Sequence, residues 1–334
     1  MLKNIKLTIA IIVLLIALQA FTSHTYTNTY NLNTIIIDPG HGGKDPGAPC
    51  WNNACTEAKI TLAISLKLGK EIEKLLPNVK IYYTRKDDSY PTLYYRADFA
   101  NEKKGDLFIS IHCNSRDVSY RQVADGTKTV TYYEGKGRKR KKLTKQVTTY
   151  RREKINSTVK GMETYIWIPS KTEQKTDAIA AAENAEIFKD PEYKTKYGGG
   201  VDINSAEFIA KAKLRTKKYF LRSNLLATLI QEEGANAGRN DRNVQQRGVG
   251  IWVLQATAMP SVLVETGYIS TPEEERYLNS TNGQEEMAIL IAKAVKKYND
   301  DLNKNTSGNQ PIFKENTTLL IEDRIKQITW NDAV

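Results

Sequence analysis

Histidine occurs only three times in 334 residues, so its placement is informative. His41 and His112 each follow a short hydrophobic run, Ile35 to Ile37 and Phe108 to Ile111. Such runs read as strands, and in a parallel sheet both imidazoles would emerge on one edge. His41 lies within Asp38-Pro-Gly-His-Gly-Gly43, whose glycines let the backbone turn sharply beside a bound group. Glu57 precedes Ile60 by three residues and Ile64 by seven, which puts its carboxylate on the apolar face of a helix. Each residue alone has a bland reading, a satisfied loop histidine or a carboxylate complementing a helix dipole. Together they read differently. A buried carboxylate needs a partner, and two neutral imidazoles with one carboxylate make a tetrahedral zinc site with one position left for water. Zinc lowers the pKa of bound water to about 7 and polarises a carbonyl, but a base must still take a proton and an acid deliver it. Glu265, closing the apolar run Ser261-Val-Leu-Val-Glu265, is the candidate for both roles. The chemistry is metal-assisted hydrolysis.

Positioning these groups requires strands alternating with helices. Thr34 to Ile37, Lys80 to Thr84, Leu107 to Ile111, Gly161 to Ile168 and Val262 to Glu265 read as strands. Ile60, Ile64, Leu68, Ile72 and Leu75 form one face of a helix stopped by Pro77, and Leu93, Ala97 and Ala100 mark a second ending before Gly105. A third covers Ser223 to Glu233. Thr271-Pro-Glu-Glu274 reads as a capping box with Pro at the first helical position, and Met287 to Leu302 carries the stripe of a closing helix. The expected fold is α/β: a single domain over 31–303 with a mostly parallel twisted sheet flanked by helices. Two stretches exceed a minimal domain and read as insertions after strands. The basic segment 116–160 reads by default as a solvated loop, and 169–221 is rich in Ala, Lys and Glu. Residues 304–334 read as a polar tail.

With 40% hydrophobic residues the chain can bury one large core. Met1 to Lys6 carries two lysines and Leu7 to Phe21 is almost wholly apolar, so 1–22 reads as a signal peptide and the protein as exported. The same segment could make transient membrane contact. Export makes a disulfide between Cys50 and Cys55 feasible, bracing the loop between His41 and Glu57, whereas Cys113, beside His112 in a strand, should point into the core. Lys and Arg number 49 against 38 Asp and Glu, net +11, which favours polyanionic partners. Nucleic acid is not expected, because the basic run is confined to one segment and no nucleic-acid module is present.

The ordered set Ile35-Ile-Ile-Asp-Pro-Gly-His-Gly-Gly-Lys-Asp-Pro-Gly47, Glu57, Tyr83-Thr-Arg85, Leu93 to Asn101 with Arg96, Asp106 to Ser115, Gly161-Met-Glu-Thr-Tyr165, Arg247-Gly-Val249 and Met259 to Ser270 resembles the zinc-dependent N-acetylmuramoyl-L-alanine amidases. The resemblance implies one zinc held by His41, Glu57 and His112, with Glu265 as the catalytic glutamate. It implies peptidoglycan as substrate, cut between the lactyl group of N-acetylmuramic acid and L-alanine, at the cell wall or in the periplasm during cell division. Some family members carry a helix that covers the zinc until an activator protein draws it away, and 169–221 lies where such a segment would sit. The competing readings are a zinc peptidase acting within stem peptides and a non-catalytic wall-binding scaffold.

Overall fold

A computed structural model of the chain describes residues 32–167, 206–246 and 251–306. Its first strand, β1 (Thr34–Pro39), buries five of its six residues. Helix α1 (Glu57–Leu75) returns the chain to β2 (Lys80–Tyr83), and α2 (Leu93–Glu102) leads into β3 (Leu107–Asn114). A ribbon of β4 (Tyr120–Glu134) and β5 (Lys141–Lys154) follows, then β6 (Met162–Ile166), α3 (Ala206–Asn236) and β7 (Asp241–Gln246). The chain continues through α4 (Trp252–Ala256), β8 (Ser261–Tyr268), α5 (Pro272–Leu278) and α6 (Thr281–Thr306).

The main sheet has six strands in the order β2-β1-β3-β8-β6-β7. β2, β1, β3 and β8 are parallel to one another, β6 runs antiparallel to β8, and β7 is parallel to β6. The sheet is therefore mixed, mostly parallel and flanked by helices, as expected for the α/β class. Leu32–Tyr298 forms one compact unit. Ile36, Phe108 and Leu263 from three strands meet Ala100 of α2 and Val253 and Leu254 of α4 in one core. Strand alternation sends Ile35, Ile37 and Ile109 to the other face. α1 packs on β1 and β3 and buries Ile60, Ile64, Leu68 and Ile72 almost completely, at roughly 1.5–3 kcal/mol for each such side chain. Leu75, expected on the same stripe, is the last residue of the helix and is 39% exposed.

Several local expectations differ from the structure. The basic segment is a long antiparallel ribbon rather than an irregular loop. Helix α3 covers Ala206–Asn236, so the helical turns of Ser223 to Glu233 belong to a much longer element that includes the end of the 169–221 segment. Residues 168–205, with the helix-prone stretch 177–188, lie outside the described residues, as do 1–31, 247–250 and 307–334. No capping box forms at Thr271: its hydroxyl donates to the Val159 carbonyl, and Glu274 accepts from the Gly161 and Tyr268 amides instead. Pro272 does open α5. Among the described residues no helix is long and apolar enough to cross a membrane.

Candidate metal centre

The C-terminal ends of β1 and β3 lie side by side, with the Gly40 amide donating to the Ile111 carbonyl at 3.0 Å. β1 ends in a turn that His41 enters with φ of 59°, a left-handed conformation a non-glycine residue adopts only under constraint. The constraint comes from two buried arginines. Arg96 on α2 donates to the carbonyls of Pro39 and His41, each at 2.7 Å, and to the Asp38 carboxylate at 2.6 Å. Arg85, just after β2, donates to the carbonyls of Pro39 and Gly40 and to Ala58 at the start of α1. Asp38 is 1% exposed and also accepts from Thr84 and Ser110. Burial alone would raise its pKa, but the charge of Arg96 and these hydrogen bonds hold it below the ordinary value.

α1 delivers Glu57 to the same place. Its first amides are satisfied by the preceding loop, Glu57 donating to the Ala48 carbonyl and Ala58 to that of Pro46. The carboxylate is buried and spans both histidines. Oε1 lies 3.0 Å from His112 Nδ1 and Oε2 3.1 Å from His41 Nε2, while the amides of Cys113 and Ala48 donate to Oε1 and Oε2. Burial would raise the Glu57 pKa, but hydrogen bonds from His112 and His41, followed by their charges, hold it far below the usual carboxylate range. The His41 pKa is depressed by burial but driven up to about 9 by its bonds to Glu57 and Asp45. Asp45 Oδ2 meets His41 Nδ1 at 2.9 Å and is itself fixed by the Gly47 amide. That bond places the Nδ1 proton toward Asp45 and leaves Nε2 as the donor atom facing Glu57.

His41, Glu57 and His112 thus present three donor atoms within 4.8 Å of one another, a group able to hold a metal ion. Two glycines make the approach possible. A Cβ on Gly40 would lie 2.4–2.7 Å from the His112 ring, and one on Gly47, at φ of 67°, 2.7 Å from Glu57 Oε2 and 2.8 Å from the His41 ring. The Cys50–Cys55 disulfide closes the loop leading to α1, and Cys113 is buried with its sulfur 3.3 Å from the Thr266 hydroxyl.

Glu265 is buried inside β8, which runs on to Tyr268 rather than ending at the carboxylate. It pairs in register with His112 on one side and Glu163 of β6 on the other. Paired residues on neighbouring strands share a face, so His112, Glu265 and Glu163 form a row across the sheet. Glu163 is hydrogen-bonded by Asn114 and by the Tyr268 hydroxyl, the latter at 2.9 Å. Asp38, Asp45, Arg85, Arg96 and Glu163 complete the site and lie outside the metal-and-acid pattern visible in the sequence. One signal was present: Arg96 lies beside Ala97 and one turn before Ala100 on the buried face of α2, where an arginine needs acceptors.

A family model described as N-acetylmuramoyl-L-alanine amidase matches residues 35–297. The probable N-acetylmuramoyl-L-alanine amidase AmiB of Haemophilus influenzae is 27% identical over 305 residues, which cover 90% of this chain but 56% of that relative's length. A putative N-acetylmuramoyl-L-alanine amidase of Buchnera aphidicola is 29% identical over 269 residues, covering 80% of this chain and 96% of the relative. The crystal structure of N-acetylmuramoyl-L-alanine amidase from Clostridium difficile 630 shares the fold, with a TM-score of 0.50 and 22% identity over 81% of this chain and 98% of its own. The matched span begins on β1, ends in the closing helix and contains every donor of the metal-capable cluster together with the row that includes Glu265, which places the chain in the N-acetylmuramoyl-L-alanine amidase family.

Proposed function

We propose that the chain hydrolyses the amide between the lactyl group of N-acetylmuramic acid and L-alanine in peptidoglycan, using one zinc ion held by His41, Glu57 and His112. The observation that carries this is the convergence of two imidazole nitrogens and one buried carboxylate at the strand ends of a family member. The donor set fits zinc: nitrogen and oxygen ligands, three from the protein, with a fourth position for substrate or water. Bound there, zinc would polarise the scissile carbonyl and acidify water. The chain's own contribution is orientation and proton handling. Asp45 fixes the His41 ring through Nδ1, Arg85 and Arg96 hold the turn that carries His41, and Glu265, in register with His112, would take a proton and return it to the leaving amine.

The test is digestion of purified peptidoglycan with and without a chelator, the products being identified by mass. Release of stem peptides with a free L-alanine amine, lost on chelation and restored by zinc, is the expected result. Cleaved stems still attached to sugar would indicate a peptidase, and binding without any product a scaffold. The same reading makes the protein an exported enzyme of the periplasm or cell wall and makes 169–221 an inhibitory segment relieved by an activator. Because α3 is described over Ala206–Asn236, the deletion that tests inhibition should stop at residue 205 and leave that helix whole. Unchanged wall hydrolysis by the folded deletion variant would reject that regulation.

A further inference from the structure

The β4–β5 ribbon holds most of the chain's net charge. Residues 120–154 contain twelve Lys and Arg against three Asp and Glu, +9 of the total +11, so the rest of the molecule is nearly neutral. Charges on an exposed ribbon have a bland role, guarding its open edges against pairing with other chains. Edge protection, however, does not account for the composition of the two faces. The register puts Tyr120, Thr127, Thr129, Thr131 and Tyr133 on one face with Lys142, Thr144, Gln146, Thr148, Tyr150 and Arg152. No acid stands on that face, since Glu134 and Glu153 point the other way and Asp125 falls in the bulge. The opposite face carries Arg121, Lys128, Lys141, Lys145, Arg151 and Tyr132, but its cations share that face with both acids and with the half-buried aliphatics Val123, Val130, Leu143 and Val147.

The acid-free face is open. Tyr120, Tyr133 and Tyr150 are 45%, 56% and 61% exposed, and the Arg152 guanidinium is held 4.4 Å from the Tyr120 ring. From Lys142 to Arg152 the platform runs about 33 Å. Beyond it the turn adds Lys136, Arg138, Lys139 and Arg140, with Arg140 4.4 Å from the Tyr133 ring. Rows of hydroxyls, flat aromatic rings and cations without acids suit an extended, N-acetylated glycan bearing carboxylates. The rings can lie against sugar faces, the hydroxyls can bond acetamido and sugar groups, and the cations can pair with stem carboxylates. At its base Lys154 donates to the Trp51 carbonyl, tying the ribbon to the disulfide loop between His41 and Glu57.

We propose that this face and the cationic turn form a platform that binds peptidoglycan away from the metal centre and holds the enzyme on the polymer. The proposal rests on the amidase reading for the identity of the glycan. A bilayer would engage the turn or the aliphatic face, and duplex DNA would respond to charge irrespective of face.

The experiment compares two variants of equal net charge. One carries Tyr133→Ser, Lys142→Ser, Tyr150→Ser and Arg152→Ser on the platform; the other carries Lys128→Ser and Lys145→Ser on the opposite face. Binding is measured by co-sedimentation with intact sacculi, using Glu265→Gln protein throughout so that the polymer is not degraded. Turnover of a soluble muropeptide is measured separately with Glu265 intact. The platform variant should bind sacculi about tenfold more weakly or worse, the worth of a single lost charge-assisted contact, while the opposite-face variant stays within about threefold of the parent. Turnover of the soluble fragment should be unchanged in both. Parent-like sacculus binding by the platform variant, or equal losses in the two variants, would overturn the proposal. So would tighter binding to phosphatidylglycerol vesicles or duplex DNA than to sacculi. If the fourfold variant loses soluble turnover, Tyr150→Ser with Arg152→Ser is compared with Lys128→Ser alone, which again matches the net charge. A parent that binds sacculi through the platform but cleaves no muropeptide refutes the amidase reading and leaves the platform standing.

Discussion

Replacing Arg96 by methionine removes the principal brace of the His41 turn while keeping much of the side chain's volume. Four acceptors lose a donor, the Asp38 carboxylate and the carbonyls of Pro39, His41 and Pro91, with Arg85 still donating to Pro39. Arg96 is 3% exposed and Asp38 1%, so no solvent takes its place. Removing one partner of a buried pair costs about 3–5 kcal/mol, because the other charge is left uncompensated. Thr84 and Ser110 still bond Asp38, which puts the expected loss near the lower bound, about 3 kcal/mol. A domain stable by roughly 5–15 kcal/mol survives this. The pH dependence follows from the lowered Asp38 pKa: its stabilisation is present above the unfolded value of 3.8 and drains as pH falls through the folded one. In the variant a protonated Asp38 needs no counter-charge, so the deficit measured by urea denaturation should shrink toward pH 4. Asp38→Asn combined with Arg96→Met should cost less than the sum of the two, by at least about 1 kcal/mol. Zinc affinity should fall about 10–100-fold, as for other losses of ligand-orienting partners. A destabilisation below about 1 kcal/mol with unchanged zinc affinity would refute the idea that Arg96 holds the site in shape.

Gly47→Ala should destabilise the fold by about 1–3 kcal/mol and depress zinc binding, because its Cβ would press on Glu57 and His41 from a left-handed backbone; calorimetry with and without zinc reads both effects. Glu265→Gln should lower turnover by about 10²–10⁴ while leaving zinc affinity unchanged, which titration with a competing chelator checks. With His41 at about 9 in the metal-free chain, its pairing stabilises the fold fully below the unfolded value of 6.5, and that contribution disappears as pH rises through 9. Zinc must displace this proton, so apparent affinity should rise about tenfold per pH unit toward 9, with proton release visible as a buffer-dependent binding heat.

The strands that position the cluster were legible because they are buried on both faces and read as near-continuous apolar runs, as Ile35 to Ile37 and Phe108 to Ile111 do. Glu57 was legible for the opposite reason, a carboxylate on an apolar stripe. β4 and β5 were not, because neither face of the ribbon is covered by a core and alternation of Thr with Lys or Tyr gives no hydrophobic period. β7 is a polar strand at the sheet edge and escaped in the same way. α2 shows a subtler failure: Leu93, expected inside, is 53% exposed, and the face it would have filled is occupied by Arg96. Hydrophobic periodicity locates cores, but the polar network that shapes the His41 turn is built from residues 38, 85 and 96, whose proximity only the folded sheet reveals.

The arrangement of charges explains why these donors can be ready before any ion arrives. Two imidazoles and a carboxylate brought close together would repel or collapse if each lacked a counterpart, and here each has one. Asp45 takes the outer nitrogen of His41, the amides of Ala48 and Cys113 take two sites on Glu57, and Glu57 itself bridges the two rings. A proton on His41 plays the part of the cation in the metal-free chain. On the zinc reading, the ion would take the place of that proton, and the cost of loading would fall on proton displacement rather than on rebuilding the turn. The strain of a left-handed histidine is met by folding, through Arg85 and Arg96, and so is not a cost that metal binding must meet.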